Sequence, residues 1–134
     1  MNTKEKTVIL ESGDSVNYDK LLIATGSNVF KPNIPGVNAP NVHFVRTNED
    51  QLVIKQKAET AKSIVVVGAS FVGVEAMSSI AMKYGKDAAK SLHLICDTET
   101  PLEPILGKEI GSFVLSEHVA NGVKVHSKVF CSSI

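Results

Sequence analysis

The sequence predicts an α/β protein built around a parallel β-sheet. From residue 63 onward, short aliphatic runs alternate with helical segments in the order strand, helix, strand, helix, strand. Two consecutive βαβ units with right-handed crossovers make a parallel sheet. The hydrophobic fraction of 43% and the charged fraction of 21% are ordinary for such a domain, and 134 residues suffice for one domain with smaller additions.

A hairpin is predicted near the start of the chain. The runs TVIL (7–10) and VNYDKLLIAT (16–25) flank ESGDS, in which Gly13 and Asp14 supply turn chemistry. Within the second run, residues 20–24 have a continuously apolar core, so we expect there a strand buried on both faces. The stretch TGSNVFKPNIPGVNAPN follows, and its glycines and prolines indicate a connector without regular structure.

A helix is predicted at 47–61, with Thr47 or Asn48 as its N-cap. Glu49 and Asp50 lie in the first turn, where the helix dipole favours anions. The remaining predicted elements are a strand at 63–67, a helix at 72–83 that ends near Gly85, a strand at 91–96, a helix at 108–121 closed by Asn121 and Gly122, and a strand beginning at 123–125.

The stretch SIVVVGASFVGVEA (63–76) indicates a strand that turns sharply into a helix. Gly68 and Gly73 match the first and last glycines of the dinucleotide pattern G-x-G-x-x-G, and Ser70 replaces the middle one. A serine there narrows the approach to a pyrophosphate, but its hydroxyl can donate a hydrogen bond to a phosphate oxygen. Because backbone N–H groups and the helix dipole supply most of the attraction, we expect weakened binding rather than none. The alternative is an ordinary strand-to-helix turn.

Three acidic or aromatic residues extend this pattern. Asp97 ends the next predicted strand, 24 positions after Gly73, where an acidic residue would bind the 2′-hydroxyl of the adenosine ribose. No lysine or arginine follows Asp97 before Lys108, so no nearby cation would bind a 2′-phosphate, which favours NADH over NADPH. The alternative to a ribose-binding role is that Asp97 merely starts a turn. Phe71 could cover a bound ring or be an ordinary core residue. For Glu75, the alternative is purely structural, because the helix dipole alone favours an acidic residue near the start of a helix.

Composition argues against several other functions. The formal net charge is zero, so nothing recruits nucleic acid or an anionic membrane surface. Cys96 and Cys131 are far apart and form no C-x-x-C pair, so neither a dithiol centre nor a cysteine-rich metal site is indicated. No apolar run approaches the length of a membrane helix. We expect a soluble protein, cytoplasmic or organellar.

The segments YDKLLIATGS, IPG and IVVVGASFVGVEA, taken together, resemble the pyridine nucleotide-disulfide oxidoreductase family. In that family, an NAD(P)H-binding domain is inserted into an FAD-binding domain. The resemblance spans about residues 7–129. The serine in GASFVGVE and the later TPLEPILGKEIG are most similar to the apoptosis-inducing-factor-like and ferredoxin or rubredoxin reductase branch.

This resemblance implies a Rossmann-like, doubly wound parallel sheet together with a β-hairpin fragment of an FAD domain. Residues 1–27 would be the C-terminal fragment of the first half of the FAD domain, 28–45 a crossover linker, and 46–134 an NAD(P)H-binding domain truncated at its C-terminus. No second G-x-G-x-x-G, no C-x-x-x-x-C and no later GD segment is present. We therefore expect a piece of a longer flavoprotein, or a shortened gene product, that is inactive alone.

The resemblance also implies roles for individual residues. Thr25 and Gly26 would lie close to FAD. Phe71 would match the aromatic residue that shields the flavin or nicotinamide, Glu75 the glutamate near the carboxamide, and Asp97 the ribose-binding acid. The implied NAD-binding set is Gly68, Ala69, Ser70, Phe71, Val72, Gly73, Glu75 and Asp97.

The implied function is transfer of a hydride from NADH to FAD and then of electrons to an iron–sulfur or rubredoxin-type protein, or to a small oxidant. No catalytic residue or metal ligand is predicted within this chain, and a homodimer stays open. One alternative is a non-catalytic module whose NADH binding regulates a partner interaction. Another is a structural α/β domain with a vestigial turn.

Overall fold

A parallel three-stranded sheet with packed helices dominates the computed structural model, which describes residues 2–85 and 90–134. The elements are, in order, β1 (Thr7–Ile9), β2 (Ser15–Asn17), α1 (Asn48–Thr60), β3 (Ser63–Val67), α2 (Phe71–Tyr84), β4 (Ser91–Ile95), α3 (Glu103–Ala120) and β5 (Val123–His126). The predicted Rossmann-like α/β class is confirmed, and so is the antiparallel hairpin beside it.

The strands of the main sheet follow the order β3, β4, β5, and both pairings are parallel. Val67 is opposite Ile95, and Ile95 is opposite His126, so all three strands end at one edge of the sheet. Parallel pairing requires a crossover between neighbouring strands, and α2 and α3 provide these crossovers. We call the common end of the strands the carboxyl edge.

The hydrophobic core lies between this sheet and α2. Leu92 and Leu94 alternate inward along β4 and are fully buried against Met77 of α2, which is also fully buried. Complete burial of such side chains stabilises the fold by roughly 1.5–3 kcal/mol each. The Nε2 of His118 in α3 lies 3.4 Å from the carbonyl oxygen of Val74 in α2. Helix α3 therefore packs beside α2 on the same face of the sheet.

The opposite face of the sheet is partly open. Val65 and Val67 are 55% and 53% exposed there. On the neighbouring strands, His93 Nδ1 lies 2.9 Å from His126 Nε2, a hydrogen bond between two imidazoles. Burial of His93 lowers its pKa below the ordinary value of 6.5, and the nearby His126 and Lys124 lower it further. The surroundings of His93 on this face therefore favour the neutral form of its imidazole.

Helix α1 is secured at both ends by side-chain hydrogen bonds. Thr47 is the N-cap: its hydroxyl accepts the Asp50 N–H at 3.3 Å, and the Asp50 carboxylate accepts the Thr47 N–H at 2.9 Å. This capping box confirms the predicted start of the helix. At the other end, Lys90 Nζ donates to the carbonyl oxygens of Glu59 and Ala61 at 2.9 and 2.7 Å. One of the last carbonyls of α1 and the carbonyl of its C-cap residue are thereby satisfied.

The prediction of a doubly buried strand at residues 20–24 is wrong. The hairpin itself forms, with Gly13 at φ +90° in the turn, but β2 ends at Asn17. Leu22 and Ile23 are 87% and 64% exposed in irregular chain. An apolar run becomes a buried strand only where neighbouring strands pair with it, and no described residue pairs with this one.

Helix α3 begins earlier than predicted, at Glu103 rather than Lys108. The Glu103 carboxylate accepts the N–H and the hydroxyl of Thr100 at 2.9 and 3.2 Å, which stabilises a short first turn. Pro104 is tolerated there because the first helical N–H groups have no intrahelical acceptor. Gly107, at φ +82°, then interrupts the helical geometry before α3 continues.

Replacement of Gly73 by alanine should destabilise the fold. A Cβ at Gly73 would collide with the carbonyl oxygen of Gly68, so α2 must move away from the end of β3. We expect Gly73→Ala to lower the free energy of unfolding in urea by about 1–3 kcal/mol. Ser79→Ala, at an exposed position of the same helix, should change it by less than about 0.5 kcal/mol. Equal effects of the two substitutions would contradict the close contact.

Stability should fall in mild acid, partly through His93. Its pKa is lower in the folded than in the unfolded chain, so the unfolded chain binds more protons as the pH falls through 6.5. The contribution of His93 is thus present above that value and is lost as the pH falls through the folded pKa. We expect His93→Gln to reduce the loss of unfolding free energy between about pH 7.5 and about pH 5. His43→Gln, in an exposed loop, is the control, and an equal loss in both variants would contradict the assignment.

Candidate functional site

The turn between β3 and α2 has the backbone geometry that its two glycines predict. Gly68 has φ +101°, a conformation that side chains with a Cβ rarely adopt. Its N–H donates to the Ile95 carbonyl at 3.0 Å, which ties the turn to the end of β4. Gly73 allows α2 to approach, because a Cβ there would clash with the Gly68 carbonyl oxygen. Both glycines are therefore required by the turn itself.

Ser70 is the N-cap residue of α2, in extended backbone conformation at φ −83° and ψ −176°. Its exposed side chain makes no capping hydrogen bond, so the hydroxyl does not satisfy the helix start. The N–H groups of Phe71, Val72 and Gly73 have no acceptor within the helix either, since the Val74 N–H is the first to bond back, to the Ser70 carbonyl at 2.9 Å. The start of α2 thus presents a row of free donors.

Asp97 lies at the same edge of the sheet as this turn. The buried Cys96 extends the pairing of β4 by one residue, since its N–H donates to the His126 carbonyl at 2.8 Å. Asp97 follows directly and is exposed. Because Gly68 bonds to Ile95 on the neighbouring strand, the structure brings the glycine turn and Asp97 together at the carboxyl edge, as the sequence pattern predicts.

A further contact holds the loop after β4 against the turn. The Ala69 carbonyl accepts the Leu102 N–H at 2.9 Å, and both residues are buried. Leu102 adopts a left-handed conformation at φ 59°. This contact was not predicted from the sequence. The only signal was an apolar residue within the proline-containing stretch TPLEP, where exposed polar residues are the norm.

Phe71 and Glu75 are one helical turn apart on α2 and share a face. Phe71 is 45% exposed and Glu75 is exposed, so Phe71 is not an ordinary core residue. Both side chains are therefore available at the amino-terminal end of the helix, next to the free donors of its first turn.

Thr25 and Gly26 lie in the irregular segment that precedes α1. Both are exposed, and Gly26 has φ +75°. The Arg46 side chain holds this segment, since its Nε donates to the Ser27 carbonyl at 3.3 Å. Among the described residues, neither Thr25 nor Gly26 hydrogen-bonds to the turn at Gly68. They belong to a different part of the predicted site from the NAD-binding residues.

An ion cluster surrounds the loop that follows Asp97. One carboxylate oxygen of Glu99 lies 2.5 Å from Lys108 Nζ and the other 3.3 Å from Lys128 Nζ. Hydrogen bonds from Lys108 and then from Lys128 hold the pKa of Glu99 below its usual range, and the Glu99 bond raises the pKa of Lys108. From the sequence, Lys108 was the only cation considered near Asp97, because Lys128 is distant in sequence.

A groove of about 170 Å³ between α2 and α3 is separate from this site. It is lined by Ser78, Ala81, Met82, Glu117, His118 and Asn121. These residues lie toward the carboxyl-terminal ends of the two helices, whereas the glycine turn is at the amino-terminal end of α2. The groove is also smaller than the 300–1,000 Å³ typical of ligand pockets, so it is not the candidate nucleotide site.

A metal site and a membrane-spanning helix are both absent from residues 2–85 and 90–134. No group of three or more metal-ligating side chains occurs within these ranges. No helix there is long and apolar enough to cross a membrane. Cys96 and Cys131 are both free thiols.

Several known proteins are similar to this chain in sequence. The chain is 32% identical to an NADH oxidase of Enterococcus faecalis over 130 residues, which cover 93% of this chain and 28% of that protein. It is 28% identical to rhodocoxin reductase of Rhodococcus erythropolis over 116 residues, which cover 87% of this chain and 26% of the reductase. The chain thus spans less than a third of each of these relatives.

Solved structures agree in fold. A ferredoxin reductase of Rhodopseudomonas palustris superposes with a TM-score of 0.81 at 24% identity, covering all of this chain and 32% of the reductase. An NAD-dependent persulfide reductase of A. fulgidus superposes with a TM-score of 0.72 at 28% identity, covering all of this chain and 25% of that protein. The family model for pyridine nucleotide-disulphide oxidoreductases matches residues 1–134. The predicted resemblance is therefore confirmed, and the chain belongs to the pyridine nucleotide-disulphide oxidoreductase family.

Proposed function

We propose that this chain is the NADH-binding part of a flavoprotein oxidoreductase, which passes a hydride from NADH to FAD and electrons on to a further acceptor. The observation that carries the proposal is the carboxyl edge of the sheet, where the free donors of α2 lie beside an exposed aspartate. In open α/β sheets, ligands bind outside the carboxyl ends of the strands. The names of the relatives, an NADH oxidase and a rhodocoxin reductase, are consistent with this chemistry.

The backbone clearance and the free donors at this edge support binding of a pyrophosphate. Apart from Gly68 and its two chain neighbours, no described residue has an atom within 4 Å of the position that a Cβ on Gly68 would occupy, so a pyrophosphate can approach the backbone there. The N–H groups of the first turn and the dipole of α2 favour its negative charge. The Ser70 hydroxyl, which caps nothing, is free to donate to a phosphate oxygen. Serine in the middle position thus replaces the missing glycine with a donor.

Asp97 would accept hydrogen bonds from the adenosine ribose, and its negative charge would disfavour a 2′-phosphate. By the family resemblance, Phe71 and Glu75, which share one face of α2, would flank the nicotinamide half of the bound nucleotide. These residues position NADH. FAD, when bound, would supply the chemistry as the acceptor of the hydride.

The flavin site would include the segment around Thr25 and Gly26, which is exposed and held by Arg46. The positive φ of Gly26 lets backbone approach a bulky ligand closely. For the electron acceptor, we propose an iron–sulfur or rubredoxin-type protein, or a small oxidant. Solved relatives include a covalent complex of putidaredoxin reductase with putidaredoxin and an NADH:rubredoxin oxidoreductase.

Titration calorimetry of this chain with NADH and with NADPH tests the proposal. We expect saturable binding of both or of NADH alone, with NADH tighter, because the free donors attract the pyrophosphate and Asp97 repels a 2′-phosphate. Met82→Ala, at a position 86% exposed on the far half of α2, should bind as the unmodified chain does. Absence of saturable binding to either nucleotide would refute a working site in this chain and favour a vestigial turn.

Replacement of Asp97 by alanine should weaken NADH binding about tenfold, because a hydrogen bond to a charged acceptor is lost. The preference for NADH over NADPH should shrink in the same variant, because the repulsion of a 2′-phosphate is also removed. Dissociation constants of both nucleotides measure this. Asp19→Ala removes the same charge at an exposed position near the hairpin and should change neither constant. An Asp97→Ala variant that behaves like this control would exclude the ribose assignment.

A further inference from the structure

The loop after β4 places further charged side chains near the carboxyl edge of the sheet. It begins with Asp97, and Glu99 follows two positions later with its side chain partly buried. Two backbone hydrogen bonds hold the loop in place: the Leu102 N–H donates to Ala69 in the turn, and the Lys128 N–H donates to Thr98, both at 2.9 Å. Thr98 is the residue next to Asp97. The Lys128 backbone is therefore attached directly beside the proposed ribose-binding acid.

Two ammonium groups meet on the Glu99 carboxylate. Lys108 Nζ bonds to Oε1 at 2.5 Å, and Lys128 Nζ bonds to Oε2 at 3.3 Å, so each oxygen carries one lysine. The two lysines come from α3 and from the chain after β5, and Glu99 brings them together. Their side chains are 60% and 69% exposed. Each is thus free to reorient toward solvent, or toward an anion, if the carboxylate charge is removed.

The positive charges of Lys108 and Lys128 are offset by acidic neighbours. Both lysines pair with Glu99, and Lys108 is also attracted by Glu103. A 2′-phosphate carries about −1.5 to −2 at neutral pH and is bound in proteins mainly by free cations. Here the nearby cations are already neutralised. The hydrogen bonds from Lys108 and Lys128 also lower the pKa of Glu99, so its carboxylate stays ionised around neutrality.

We propose that Glu99 is a specificity-determining residue that disfavours NADPH by holding the ammonium groups of Lys108 and Lys128 away from an incoming 2′-phosphate. The inference rests on the proposed function, because it assumes that a dinucleotide binds at this edge. Glu99 is a positioning residue in this account, since it acts on the nucleotide through the two lysines. Asp97 repels the 2′-phosphate directly, whereas Glu99 prevents the two lysines from attracting it.

Of the two lysines, Lys128 should bind a 2′-phosphate more effectively once the Glu99 charge is removed. Lys108 is still attracted by Glu103, which also raises its pKa, so it keeps an acidic neighbour without Glu99. The structure gives Lys128 no second acidic partner among the described residues. Its backbone bond to Thr98 also holds it next to Asp97. The effect of removing the Glu99 charge should therefore depend chiefly on Lys128.

The test is the ratio of dissociation constants for NADH and NADPH in the full chain with Glu99→Gln. Glutamine keeps the size and the hydrogen-bonding oxygen but removes the charge. We expect NADPH to bind about 3–10-fold more tightly while NADH changes little, which corresponds to about one new charge-assisted contact. The change in the ratio should shrink when salt is raised from about 0.05 to about 0.5 M, because exposed charges are screened.

Two further variants separate this role from a structural one. Glu99→Gln combined with Lys128→Gln should return the ratio toward that of the unmodified chain. Glu117→Gln removes the same charge near the far end of α3 and should leave the ratio unchanged. Thermal unfolding of each variant shows whether the fold is retained.

The outcomes distinguish the two proposals. If the unmodified chain binds neither nucleotide, the proposed function fails and this inference fails with it. If it binds NADH but Glu99→Gln leaves the ratio unchanged, or weakens both nucleotides equally, the proposed function stands and the role of Glu99 is refuted. A gain in NADPH affinity that persists when Lys128 is also replaced would refute the role of Lys128.

Discussion

The contact of α2 with the end of β3 is the constraint on which the rest of the structure depends. Because Gly73 has no side chain, the helix starts directly over the Gly68 carbonyl. That position directs the first N–H groups of α2 outward at the carboxyl edge and sets the buried face of the helix, with Met77, over Leu92 and Leu94. One close backbone approach thus determines both the core of the sheet and the geometry of the proposed nucleotide site.

Sequence reasoning succeeded where the signals were local. The capping box at Thr47, the β-branched run before Gly68 and the pair Asn121-Gly122 each encode an element boundary in a few neighbouring residues. The glycine spacing also predicted which residues the turn requires. Asp97 was placed at the same edge because parallel strands end together, which is a property of the topology rather than of any single residue.

Contacts between distant segments could not be predicted in the same way. The apolar run at 20–24 indicated a strand, but a run of this kind says nothing about whether neighbouring strands pair with it, and here Leu22 is exposed. The bond between Leu102 and Ala69, and the convergence of Lys128 on Glu99, depend on how loops fold over the sheet. Such loop conformations are set by tertiary packing, for which a single sequence carries little information.

The attachment of α1 by Lys90 has a consequence for how this domain could diversify. Lys90, directly before β4, bonds the carbonyls of Glu59 and Ala61 at the end of the helix, whereas the glycine turn and Asp97 follow the other ends of the strands. The sheet therefore has one end that anchors a helix and another that carries the exposed donors and charges. Substitutions at the anchoring end can change resistance to heat or denaturant with little effect on ligand preference, so durability and selectivity can evolve as separate traits.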